Sequence, residues 1–218
     1  FDDDAPIRRV HADASMFVGG LRALLLQSLH PRAMAGVAQH SNYRTDPWGR
    51  LQRTAAFLAA KPPEGPVLDV GAGTGLLAAA LRGLGHQGPI DGLDLSAEML
   101  AQARRKGVYR DLIAADVTQP LPVSGYAGIT SSGTFTHGHV GPEALPPMLD
   151  ALLPGAVVAL SVNRQVWDRL GFAPAFATLG NRITGLDLRE VAIYGQAAKD
   201  RDPSHAADTA LIVTFRTA

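Results

Sequence analysis

Three glycines at alternate positions, Gly71, Gly73 and Gly75, follow a carboxylate in the run Val67-Leu68-Asp69-Val70-Gly71-Ala72-Gly73-Thr74-Gly75. The apolar residues around Asp69 make a short strand, and Leu76-Leu77-Ala78-Ala79-Ala80-Leu81 continues at helical spacing, so the glycines fall in a strand–turn–helix. Glycine lets the chain turn sharply and lets a ligand lie against bare main chain. The N–H groups of the first helical turn then face that ligand with the positive end of the helix dipole. Dinucleotide loops prefer G-x-G-x-x-G; here the third glycine comes one place early and position 76 is leucine. A second carboxylate, Asp94, closes the next strand, 19 positions after Gly75 (94 − 75). A carboxylate at that strand end accepts hydrogen bonds from both ribose hydroxyls, with Asp91 as its rival in the same strand. Leu95 and Met99 follow and would line an adenine slot, although apolar packing alone also explains them. Asp116 comes after the third strand. Asp69, Asp94 and Asp116 thus stand at successive strand C-termini, where open α/β sheets bind ligands.

The elements that must position these groups alternate regularly. The second strand spans Pro89–Leu95. Ser96 caps a helix to about Lys106, Leu112–Ala115 is the third strand and Tyr126–Ser132 the fourth. Glu143–Leu153 reads as a helix and Ala156–Val162 as the fifth strand. Glu190–Tyr194 and Thr209–Phe215 are two late strands with no long helical pattern between them. The fold class is α/β: a doubly wound seven-stranded sheet whose last strand inserts antiparallel. Before it comes an α-helical N-terminal segment. Ser15 or Asp13 caps a helix over Met16–Leu29, with Phe17, Leu21, Leu24, Leu25 and Leu29 on one face. Pro31 restarts the chain into a short helix, Arg32–His40, and Ser41–Thr45 turns. Asp46-Pro47 starts a further helix that runs to about Ala60. Lys61-Pro62-Pro63-Glu64-Gly65-Pro66 breaks it and marks a domain boundary, dividing 1–61 from 62–218.

Composition narrows the partners. Lys+Arg and Asp+Glu are equal at 20 each in 218 residues, whereas a protein that grips phosphate backbones is usually basic. Nucleic acid is therefore not expected. With no cysteine, disulfides and thiolate–metal centres are excluded. No run approaches the ~20 apolar residues of a membrane span, no secretory signal is expected, and a cytoplasmic protein acting on a small molecule is the expectation.

The pattern D-x-G-x-G-x-G at Asp69–Gly75 resembles motif I of class I S-adenosylmethionine-dependent methyltransferases, whose sheet is Rossmann-like. The resemblance implies S-adenosylmethionine as cofactor. Its methionine part would lie over Gly71, Ala72, Gly73, Thr74 and Gly75, and Asp69 would hold its ammonium group. Asp94 would take the ribose, Asp116 would accept from the adenine amino group, and the N–H of Val117 would meet a ring nitrogen. Two stretches, Lys106-Gly107-Val108-Tyr109-Arg110-Asp111-Leu112 and Ser131 to Leu145, closely resemble the methyltransferase-like proteins of the Williams–Beuren region group, over about residues 64–218. Ser132 lies in the second stretch and is assigned to the cofactor. His137 and His139 in the same stretch are candidates to hold or deprotonate an acceptor. A His-x-His pair also suggests a metal, but no third ligand stands nearby and none is assigned.

Residues 7–60 resemble a different family. His11-Ala12-Asp13, Gly20–Gln27, His30-Pro31 and Asp46-Pro47-Trp48-Gly49-Arg50-Leu51-Gln52-Arg53-Thr54 look like the opening of the mycophenolic-acid oxygenase and latex clearing protein family, all-helical and including haem b enzymes. Arg50 and Thr54 resemble residues placed near the haem there. The N-terminal lid signature usual in the methyltransferase group is absent. Three functions are expected, in this order: methyl transfer to a small molecule, a non-catalytic fusion of a truncated oxygenase-like segment to a nucleoside-binding domain, and a haem oxygenase. The helical segment is expected to dock loosely, so that a chain starting at Lys61 still folds and binds. If it docks firmly, Tyr43, Trp48 and Arg50 become candidates for acceptor binding.

Overall fold

The computed structural model describes residues 48–193 and 208–218. The helices expected at Met16–Leu29 and Arg32–His40, the turn before Asp46, and Tyr194 lie outside the described residues.

The described chain runs through helix α1 (Trp48–Ala60), strand β1 (Val67–Val70), α2 (Leu76–Gly83), β2 (Ile90–Asp94), α3 (Ala97–Arg104), β3 (Asp111–Ala114) and β4 (Tyr126–Phe135). It continues through a 3-10 turn at Pro142–Ala144, α4 (Leu145–Asp150), β5 (Leu152–Asn163), α5 (Arg164–Leu170), α6 (Phe172–Leu179), β6 (Ile183–Ala192) and β7 (Thr209–Thr217). The seven strands form one sheet in the order β3-β2-β1-β4-β5-β7-β6. β1 to β5 pair in parallel, and β7 runs antiparallel between β5 and β6. This is the expected arrangement, including the inserted antiparallel strand.

Both faces of the central strands are covered, so their residues are buried in near-continuous runs rather than alternately. Leu68, Val70, Ile129, Val158 and Leu160 face Phe135, Met148, Trp167, Phe172 and Phe176 in one core. Trp167 stacks between Phe172 and Phe176, with ring centroids 5.6 and 5.5 Å away. Side chains alternate along a strand, so Val67 points the other way, with Ile90, Val157 and Ala159, into a second core.

That second core corrects the expected boundary and the expected loose docking, as far as α1 is concerned. Leu51, Ala55 and Leu58 of α1 are buried in it against Leu77, Ala78 and Leu81 of α2. Phe57 packs on Val191, Ile193, Ala210 and Ile212, and the Arg189 guanidinium lies 4.8 Å from its ring centroid. Residues 41–218 form one compact unit. The prolines at 62, 63 and 66 therefore shape a link within that unit rather than a division: a proline run stops a helix without saying whether the helix then packs.

Residues 164–179 form two helices that the sequence pattern did not suggest. Asn163 caps α5 by accepting from the N–H groups of Gln165 (2.9 Å) and Val166 (3.3 Å), and Gly171 ends it at φ 72. The helix expected over Glu143–Leu153 is shorter, because Leu152 already belongs to β5.

Candidate functional site

A cleft of about 570 Å3 opens at the C-terminal ends of β1 to β4. It lies where strand order reverses between β1 and β4, the usual ligand crevice of an open α/β sheet. Of the residues singled out from sequence, it brings together Gly71, Ala72, Gly73, Thr74, Asp94, Leu95, Met99, Asp116, Val117, Ser132 and His139. Asp69, Gly75 and His137 are not in its wall.

The glycine loop is specified position by position. Gly71 sits at φ 68, and a Cβ there would fall 1.9 Å from Thr134 Oγ1. The hydroxyls of Ser131 and Thr134 both reach the Val70 carbonyl, at 2.7 and 3.0 Å, which is what brings β4 so close to the loop. Gly75, at φ 82, makes room for the Tyr109 ring, whose Cε2 would stand 2.9 Å from a Cβ there. Gly73, at φ 53, faces the cleft, where the nearest atom to an added Cβ is Met99 Cε at 3.6 Å. Gly71 and Gly75 are thus demanded by packing, and Gly73 leaves space in the ligand crevice.

Asp94 ends β2 and is tied to the loop. Its Oδ2 accepts from the Gly73 N–H at 2.8 Å and its Oδ1 from the Ser96 N–H at 2.9 Å. Each carboxylate oxygen has a further lone pair, and the side chain lines the cleft. Asp91, its rival, belongs to the structure instead. Its carboxylate is buried and accepts from Arg110 Nε at 2.9 Å and from the Tyr126 hydroxyl at 2.8 Å. Burial pushes the Asp91 carboxyl up, but the hydrogen bonds from Arg110 and Tyr126 and the Arg110 charge outweigh it and hold it below the usual carboxylate range. Tyr126→Phe removes one hydrogen bond to a buried charge and is expected to cost about 1.5–3 kcal/mol of stability. Denaturant unfolding measures this; nucleoside affinity should stay unchanged.

Asp69 is buried on the side of the sheet that Val67 faces and does not line the cleft. The Tyr109 hydroxyl donates to its Oδ2 at 2.7 Å. Burial raises the Asp69 carboxyl to about 7, against the hydrogen bond from Tyr109 and with help from the neighbouring Asp94 charge. Burial first, and then the Asp69 charge, push the Tyr109 phenol up, so it stays a donor. With Lys106 Nζ donating to the Thr74 carbonyl, the Lys106–Leu112 stretch proves to be the buttress of the glycine loop. A carboxyl whose folded pKa lies above its unfolded value costs stability as pH rises. That contribution is whole below about pH 4 and is lost by about pH 7. Asp69→Asn keeps an acceptor for Tyr109 but cannot ionise. Its stability relative to the unmutated protein should therefore be higher at pH 8 than at pH 5, as read by denaturant melts at both; an equal difference at the two pH values would contradict this.

Asp116 is exposed, and its Oδ1 accepts from the Thr118 N–H and hydroxyl at 2.9 and 2.8 Å. The backbone bond first and the hydroxyl second hold its carboxyl below the usual range. The Ser132 hydroxyl is buried at the cleft wall without a hydrogen-bond partner among the described residues. His137 and His139 sit in a tight turn where the His139 N–H donates to the Thr136 carbonyl at 3.2 Å; only His139 reaches the cleft. Arg50 and Leu51 of α1 also line it. The sequence offered Arg50 as resembling a haem-side residue and, conditionally, as an acceptor group, and the Thr134 and Tyr109 contacts, made across the fold, left no local signal.

Residues 67–155 match the family model described as a methyltransferase domain. Residues 8–61 match that of the ER-bound oxygenase mpaB/B'/rubber oxygenase catalytic domain. The chain is 35% identical over 109 residues to human methyltransferase-like protein 27, covering 49% of this chain and 44% of that protein. It is 31% identical over 132 residues to the trans-aconitate 2-methyltransferase of Streptomyces avermitilis, covering 57% of this chain and 48% of that protein. The chain thus spans a little under half the length of these curated relatives. Among solved structures, N-methyltransferase NodS from Bradyrhizobium japonicum, in complex with S-adenosyl-L-homocysteine, superposes with a TM-score of 0.55 at 16% identity, covering 77% of this chain and 85% of that one. The fold is that of class I methyltransferases.

Proposed function

We propose, on the premise that residues 67–155 are a methyltransferase domain, that this chain binds S-adenosylmethionine in the cleft and passes its methyl group to a small-molecule acceptor. The observation that carries the reading is the convergence of the glycine loop, Asp94 and Asp116 on one crevice at successive strand ends. The residues suit the cofactor. Gly73 leaves a space that a Cβ would fill, and Ser132, whose buried hydroxyl has no hydrogen-bond partner among the described residues, lines that crevice.

The cofactor supplies a methyl group already activated as a sulfonium. The chain's own work is placement, and alignment of two bound reactants accounts for most of the acceleration such a site can give. Asp94 orients the ribose while holding the loop through Gly73. Asp116 and Val117 border the adenine, and Leu95 and Met99 flank it. His139, not His137, is assigned the place beside the acceptor, to hold it or take its proton.

The test uses methyl-labelled S-adenosylmethionine and a cell extract separated into small-molecule, protein and nucleic-acid fractions. Label entering the small-molecule fraction is expected. Label confined to protein or nucleic acid would overturn the acceptor class, and cofactor binding without any transfer would favour a binding-only domain.

A further inference from the structure

We propose that Thr134 is a positioning residue of this cleft, tying the glycine loop to the turn that carries His139 and so setting where an acceptor meets the methyl group. The inference rests on the reading of the cleft as the S-adenosylmethionine site. The Thr134 hydroxyl donates to the carbonyl of Val70, the last residue of β1, at 3.0 Å. The Thr134 carbonyl accepts from the Val140 N–H at 3.4 Å. One residue thus holds the start of the glycine loop with its side chain and the end of the His139 turn with its main chain. Thr134, His139 and Val140 all line the cleft.

The chain is shaped to put Thr134 there. Backbone pairing of β1 with β4 ends at Asp69 and Thr130, and β4 leaves its register with β5 between Ser132 and Phe135. Gly133, at φ 96, takes a conformation in which a side chain would be strained. Beyond the last backbone pair, hydroxyls continue the contact between the strands. Ser131 Oγ lies 2.7 Å from the Val70 carbonyl oxygen and 2.9 Å from Thr134 Oγ1. Gly71 admits the pair, since a Cβ there would collide with Thr134 Oγ1.

Other bonds hold each side by itself. The glycine loop hangs on β2, with the Gly71 and Ala72 N–H groups on the Leu93 carbonyl (2.8 and 2.9 Å) and the Gly73 N–H on Asp94 (2.8 Å). The turn is closed on itself, with the His139 N–H on the Thr136 carbonyl (3.2 Å) and the Thr136 hydroxyl on the Gly133 carbonyl (3.3 Å). Without the Thr134 hydroxyl, each side stays formed but is free to shift against the other. In methyl transfer the bond from the acceptor to the methyl carbon forms as the carbon–sulfur bond breaks, its electron pair going to sulfur. That step depends on how the attacking atom meets the carbon, and a misplacement of about 1 Å costs roughly 100-fold. The effect of losing the tie therefore falls on the transfer step and spares cofactor affinity.

Thr134→Val keeps the shape and removes the hydroxyl, while Ser131 still serves the Val70 carbonyl, so the variant should fold. It is compared with the unmutated full chain and with Thr134→Ser, which keeps a hydroxyl. Calorimetry with S-adenosylhomocysteine reads affinity. Label passed from saturating methyl-labelled S-adenosylmethionine to the small-molecule fraction of a cell extract reads the transfer rate. Hydrogen exchange reads the amides of residues 136–140. The valine variant is expected to bind S-adenosylhomocysteine within about threefold of the unmutated chain, to transfer at least about tenfold more slowly and to exchange faster at 136–140. Thr134→Ser is expected to recover the rate. An unchanged rate, unchanged exchange, equal losses of affinity and rate, or a serine variant as slow as the valine variant overturns the proposal. Thr134→Ala carries the same comparison if the valine variant fails to fold. An unmutated chain that binds no S-adenosylhomocysteine, or passes no label, would overturn the functional reading itself, and this inference with it.

Discussion

Asp94→Ala is expected to weaken S-adenosylhomocysteine binding by about 2–4 kcal/mol, roughly 30- to 1,000-fold. The carboxylate serves two purposes at once. Its remaining lone pairs face the cleft, where each hydrogen bond to a charged acceptor contributes about 1.5–3 kcal/mol. The same oxygens hold the amides of Gly73 and Ser96, so the substitution also releases the loop that the ligand lies on. Because Asp94 is only partly buried, folding should suffer less than binding. Calorimetry together with a thermal melt separates the two effects. Asp91→Ala should do the reverse: it strips the partner from Arg110 and Tyr126, lowering stability while the folded fraction still binds. Normal binding by Asp94→Ala with loss in Asp91→Ala would mean that the ribose sits elsewhere along β2.

A chain that begins at Lys61 is expected to lose its cooperative fold, in contrast to the sequence expectation that it would fold and bind. Removing α1 uncovers one side of the second core. The burial of Leu51 and Leu58 alone contributes roughly 3–6 kcal/mol at about 1.5–3 kcal/mol each. That is a large part of the roughly 5–15 kcal/mol that holds a domain together. Val67, Leu77, Leu81 and Val157 would also lose partners, and Phe57 would no longer cover Val191 and Ile212. The comparison is with a chain that begins at Ser41, the start of the compact unit. A shallow or absent unfolding transition is predicted for the Lys61 chain. A sharp transition at the same midpoint, with the same affinity, would show α1 to be dispensable.

These two predictions mark what was legible in the sequence and what was not. The strand-end acids were legible because a parallel strand, a glycine turn and a helix leave a local signature: a short apolar run, punctuation, then a change of period. Asp94 and Asp116 inherit their places from that alternation. The docking of α1 was not legible. Its buried face, Leu51, Ala55 and Leu58, has helical spacing but does not name its partner, and resemblance to another family suggested the wrong one. The α5 and α6 helices, seven and eight residues long, are too short to show a period, and α6 is apolar nearly all round. β6 was seen only in its last third. It is an edge strand, and Thr184–Glu190 are exposed on both faces, so no alternation appears. Asp69 shows the limit most plainly. The motif located it, but its partner Tyr109 lies 40 residues along the chain, and no local pattern tells that its carboxyl is buried rather than part of the cleft wall.

The most direct measurement is calorimetric titration of the full chain with S-adenosylhomocysteine, then with NAD. Binding in the micromolar range, about −8 kcal/mol, is predicted for S-adenosylhomocysteine, with NAD weaker. No heat and no thermal shift with S-adenosylhomocysteine, or tighter binding of NAD, would contradict the account.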